Sequence, residues 1–162
     1  MEPVLIIIGV AIFIGAIIFI SKRWENKRLM MLAPRKIQFD QLETVIEELI
    51  NKNLEYNFFG IASKGIDCIY FVDDNGKINI EFEAMVNEQI EYIDKVKEFG
   101  KSNGYQVSMI TYGNKPDYDD MKEAPVVKIE SGLDISSATE FGKQIMREIF
   151  NCDETTIFEI VP

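Results

Sequence analysis

The stretch whose residue types could do chemistry runs Gly-Asn-Lys-Pro-Asp-Tyr-Asp-Asp-Met-Lys-Glu-Ala over residues 113–124. It places Asp117, Asp119, Asp120 and Glu123 within seven residues. Hard divalent cations bind through several oxygen ligands at close spacing, and a bound cation can activate water. One reading is therefore a metal-dependent hydrolase that uses these carboxylates. The spacing fits no EF-hand loop, which needs alternating acidic positions, a glycine and a later glutamate. Two further readings stay open for the same residues: a partner-binding loop, and a solvated connector around Pro116.

Elsewhere the sequence excludes more than it offers. There is no histidine, which removes His-dependent triads, imidazole bases and His-ligated metals together. No phosphate-binding Gly-rich loop, nucleophile elbow or dinucleotide fingerprint occurs, so neither a catalytic residue nor a cofactor is expected. Cys68 and Cys152 stand far apart with no C-x-x-C pattern and read as small, reduced, buried residues. Glu81 and Glu83, two apart on a strand, form a carboxylate pair in name, but they read as the solvent face of a sheet. Tyr56, Phe58 and Phe59 read as core in preference to an exposed aromatic patch.

The elements that must position these residues follow from periodicity. Leu42, Val45, Ile46, Leu49 and Ile50 recur at helical spacing, which predicts a helix over 40–52 with Asp40 and Glu43 as its capping box. Strands are expected over 56–62 and 66–72. Asp73-Asp74-Asn75-Gly76 then forms a hairpin turn, since Asn-Gly supplies the positive φ angles of type I′. Residues 77–84 alternate, with Ile78, Ile80, Phe82 and Ala84 inward. A second helix is predicted over 87–99, with Gly100 past its end. Strands follow over 105–112 and 126–130. A third helix starts at Ser136 or Ser137, with Ser137 and Glu140 as its capping box, and ends at Phe150. A short strand over 155–161 closes the chain.

Ahead of all this lies Val4-Leu-Ile-Ile-Ile-Gly-Val-Ala-Ile-Phe-Ile-Gly-Ala-Ile-Ile-Phe-Ile20, with no charge and no hydrogen-bonding side chain. As a helix, its 17 residues would cover roughly 26 Å, the short end of what crosses a bilayer core. Its flanks lack the basic n-region and A-x-A site of a cleaved signal, so residues 1–20 are expected to be an uncleaved single-pass transmembrane anchor. Residues 21–36 form a basic connector in which Lys22, Arg23, Lys27 and Arg28 meet the membrane surface and Trp24 sits in the headgroup layer. The Lys/Arg excess after the core predicts an outside amino terminus and a cytoplasmic domain over 37–162. Ala11 and Gly15 form a small-xxx-small pair, which could bring two anchors together as a homodimer. Small residues are common in membrane helices in any case, and that plainer reading is preferred.

Eleven Lys and Arg against 25 Asp and Glu leave residues 37–162 near −14. Such a domain is repelled by nucleic acid and by anionic lipid, while the basic connector is drawn to anionic headgroups of the bilayer. The expected fold class is α+β: a transmembrane helix, then an antiparallel sheet with helices on one face, in the order α-β-β-β-α-β-β-α-β. That order resembles the type III secretion chaperone-like superfamily: helix, three-stranded meander, helix, two strands, closing helix. The segment Ser-Ala-Thr-Glu-Phe-Gly-Lys-Gln-Ile-Met-Arg-Glu-Ile-Phe-Asn-Cys-Asp-Glu-Thr-Thr-Ile-Phe-Glu-Ile, residues 137–160, also looks like the end of some non-secretion members. The resemblance covers roughly residues 39–160 and implies protein binding in place of catalysis. The expected function is thus a membrane-anchored adaptor or chaperone-like module for a protein partner. An immunity-type protein that neutralises a basic toxin is the alternative within the binding class.

Overall fold

The computed structural model describes residues 35–118 and 121–161. Seven strands form one sheet: β1 (Lys36–Ile37), β2 (Phe58–Ala62), β3 (Ile69–Asp74), β4 (Lys77–Glu83), β5 (Gln106–Ile110), β6 (Val126–Leu133) and β7 (Phe158–Val161). Their spatial order is β1-β7-β2-β3-β4-β6-β5, and every neighbouring pair is antiparallel. Three α-helices, α1 (Leu42–Ile50), α2 (Ile90–Ser102) and α3 (Ile135–Glu148), pack with one face of the sheet around a single core. Short 3₁₀ turns, Phe39–Gln41 and Asn87–Gln89, lead into α1 and α2.

The α+β arrangement agrees with the expected sheet and helices, but the expected architecture is corrected in two respects. First, no helix among the described residues is long and apolar enough to cross a membrane. The longest, α3, has 14 residues, about 21 Å against the roughly 30 Å of a bilayer core, and it carries Glu140, Lys143, Arg147 and Glu148. The transmembrane helix expected over 4–20, and the membrane and single-pass assignments that rested on it, have no support among the described residues. That segment and Lys22, Arg23, Trp24, Lys27 and Arg28 lie outside the described residues. Second, the order opens on a strand. β1 is two residues long, too short to carry a period, and it pairs with the terminal strand β7. Pairing with β1 on one side and β2 on the other makes β7 an interior strand.

Local chemistry explains the remaining boundaries. The β3–β4 hairpin turns as expected, with Asn75 at φ 55° and Gly76 at φ 84°, and Asp73 accepts from the Gly76 N–H at 2.7 Å. The start of α1 is held by Gln41, whose side-chain oxygen accepts from the Gln38 N–H at 3.1 Å; Asp40 and Glu43 make no such box. At α3 the cap is Asp134, accepting from the Ser137 N–H at 2.8 Å. Gly100 lies inside α2, not past it. A Cβ there would sit 2.8 Å from a methyl of Val107 and 3.1 Å from Ile129, so the glycine lets the helix settle onto β5 and β6. Gly142 does the same for α3 over the fully buried ring of Phe71.

Candidate functional site

Alternation along the strands divides the sheet into two faces of different character. Towards the helices point Phe59, Ile61, Phe71, Ile80, Phe82, Val127 and Ile129, each 2% exposed or less. Among the described residues no helix lies over the other face. It presents Phe58, Tyr70, Val72, Glu81, Glu83 and Val126, and these residues, with Asn57, Met85, Tyr112 and Asn114, line a cleft of about 590 Å³. The cleft falls within the size range of small-ligand and side-chain pockets.

One wall is aromatic. Tyr56 stacks on Phe58 with ring centroids 5.5 Å apart, and Phe58 meets Tyr70 edge-on at 6.2 Å. Gly60, between them on β2, leaves room for Tyr70 and Val161 to close over the strand, since a Cβ there would lie within 3 Å of both. The opposite wall comes from residues 111–118, which fold back on the end of β4. Tyr112 donates to both oxygens of Glu81 at 2.9 Å, and Asn114 Nδ2 donates to Glu83 at 2.9 Å. The Tyr118 hydroxyl donates to the Ala84 carbonyl at 2.9 Å, and the Asp117 N–H donates to the Met85 carbonyl at 2.8 Å.

Glu81 and Glu83 therefore do not sit on a plain solvent face. Glu81 is 4% exposed. Its burial pushes the carboxyl above its ordinary value of 4.5, with partial relief from the Tyr112 hydroxyl and the charge of Lys128. Tyr112 is pushed up to about 12 by burial and by its bond to that carboxylate, so it remains a donor across the physiological range. Tyr70 is pushed up as well, chiefly by burial. The aromatic expectation is also divided: Phe59 belongs to the core, while Tyr56 and Phe58 lie on the uncovered face. The adjacency Phe58-Phe59 was the available signal, because neighbours on a strand point to opposite faces.

Two carboxylates of the acidic loop, Asp117 and Glu123, fall within the described residues. Asp117 is exposed, Glu123 accepts from the Thr111 hydroxyl at 2.9 Å, and Asp119 and Asp120 lie outside the described residues. Among the described residues no three groups are placed to hold a metal ion. Among the described residues the loop contributes Tyr112 and Asn114 to the cleft.

A second buried carboxylate, Asp67, closes the turn between β2 and β3. It accepts from the Ser63 and Lys64 N–H groups at 2.9 and 2.8 Å and from the Ser63 hydroxyl. Cys152 Sγ lies 3.6 Å from the same side chain. Both cysteines are free and buried, and burial holds each thiol up at about 11. They are protonated packing residues at neutral pH.

No protein-family model, curated protein or solved structure matches the chain.

Proposed function

We propose that this chain is a protein-binding module whose recognition surface is the uncovered face of the sheet. The observation that carries this reading is the cleft: an aromatic row and a buried carboxylate, held in fixed relation by a loop pinned back onto β4. Aromatic side chains supply large, rigid contact area and are characteristic of interface centres. The partner favoured by charge is basic, because residues 37–162 carry a net charge near −14 and would steer a cationic protein towards them. The resemblance to the type III secretion chaperone-like superfamily points in the same direction. The immunity-type reading is the special case in which that basic partner is a toxin.

The test is capture by the immobilised full chain, kept in solution with mild detergent, from a lysate of its own source cell. The wild-type chain is expected to retain a specific protein, and a Phe58→Asp variant with an unchanged circular dichroism spectrum is expected to lose it. Capture of nothing specific, or equal capture by the variant, ends the reading.

A further inference from the structure

The cleft holds two carboxylates that the fold supplies with few donors. The single hydroxyl proton of Tyr112 is shared between both oxygens of Glu81, 2.9 Å from each. A carboxylate offers about four acceptor sites, so the described residues leave most of the capacity of this buried group unused. Among the described residues Glu83 has one side-chain donor, Asn114. The side-chain ion pairs among the described residues fall on Glu48, Asp94, Glu140, Glu154 and Glu159. Lys128 stands opposite Glu81 across the β4–β6 ladder and closes no pair with it. Around this unspent negative charge stand the rings of Phe58, Tyr70 and Tyr112, whose faces attract cations.

We propose that the cleft receives the side chain of an arginine or lysine from the partner protein. The cationic head lies between Glu81 and Glu83, and the methylene stem lies along Phe58 and Tyr70. This inference rests on the protein-binding reading above and names the chemistry that reading leaves open. An arginine brings five N–H donors in a planar fork and stacks on aromatic faces, which matches both deficits of the site. Its apolar stem matches the wall that a compact cation would leave uncovered. An anionic side chain would add repulsion, and a neutral amide or hydroxyl would bring donors without the charge that strengthens their bonds to a carboxylate.

The experiment is a titration of the ¹⁵N-labelled full chain followed by amide chemical shifts. The probes are the N-acetyl N-methylamides of arginine, lysine and citrulline, and spermidine. The arginine and lysine amides are expected to move the resonances of Tyr70, Glu81, Glu83 and Asn114 saturably, whereas the citrulline amide, equal in shape to arginine but uncharged, leaves them in place. In the E81Q/E83Q variant the affinity for the arginine amide is expected to fall about tenfold or more, as charge-assisted bonds are lost, with spectral dispersion unchanged. Absent shifts, or equal binding of citrulline, overturn the proposal. Spermidine binding about tenfold more tightly than either amide also overturns it, since a free polyamine would then be the better fit. If E81Q/E83Q still captures the partner as well as wild type does, the cleft assignment falls while the protein-binding reading stands. Failure of the wild-type chain to capture any partner removes the reading beneath it.

Discussion

Asp67, in the turn between β2 and β3, and Glu81, in the cleft on β4, are each 4% exposed, yet burial acts on them to opposite result. For Asp67 the desolvation that would raise its pKa is outweighed by the donors of Ser63 and Lys64, and the carboxyl is held below its ordinary value of 3.8. For Glu81 desolvation wins over the shared hydroxyl of Tyr112 and the charge of Lys128, and the carboxyl is held above 4.5. The difference lies in local supply. The chain wraps three donors around Asp67 within four residues, whereas the one donor that the described residues give Glu81 comes from 31 residues away. A carboxylate that the fold satisfies serves the fold. One that the fold buries and leaves short is arranged for something that arrives from outside.

The sharpest way to break that comparison is to remove each carboxylate in turn. Asp67→Ala orphans two backbone N–H groups and a hydroxyl, and is expected to lower the urea-unfolding free energy by about 2–3 kcal/mol. Glu81→Gln keeps the shape of the side chain and removes a poorly solvated charge, so its change at neutral pH is expected to stay within about 1 kcal/mol of wild type. Equal losses in the two variants would mean that Glu81 is as structural as Asp67.

Sequence periodicity made one face of the sheet legible and not the other. On β4 the spacing of Ile78, Ile80 and Phe82 identifies the core side directly, and all three are fully buried. The same alternation assigns Glu81 and Glu83 to solvent, and it fails there because the cover comes from a remote loop. No local pattern records that Tyr112 reaches back to Glu81 or Asn114 to Glu83. Gly100 was misplaced for a related reason: a glycine that ends a helix and one that admits a close neighbour look alike until β5 and β6 are seen beneath it. β1 and the interior place of β7 depend on strand pairing across most of the chain, which a window of a few residues cannot hold.

A smaller effect tests the donor side. Tyr112→Phe removes the hydroxyl that donates to Glu81 and is expected to cost about 1 kcal/mol in the same unfolding assay. It also raises the Glu81 pKa further, because the ionised form loses the bond that favours it. Ser63→Ala, which removes one of three donors to Asp67, is expected to raise the Asp67 pKa while leaving it accepting from two N–H groups. Carbon-detected titration of the two carboxyls reads both shifts. If Tyr112→Phe leaves Glu81 unmoved, the hydroxyl is a bystander, and the loop does not set the charge state of the cleft.

The smallest effect carries the cleanest sign. The folded-state pKa of Glu81 lies above its unfolded value, so between the two the native state binds the extra proton. Stability therefore falls as pH rises from about 4.5 through the raised pKa, and the penalty is complete above it. Asp67 contributes with the reverse sign: its stabilisation is present above 3.8 and is lost as pH falls through its lowered value. In Glu81→Gln the first slope is expected to vanish and the second to remain. The variant should equal wild type at low pH and gain on it as pH climbs past the raised pKa. Urea midpoints taken from pH about 3.5 to 7.5 measure the gap between the two curves. A gap that stays constant with pH would show that Glu81 titrates alike in both states. Its burial would then carry no electrostatic cost, and the cleft would have no unspent charge to offer a cation.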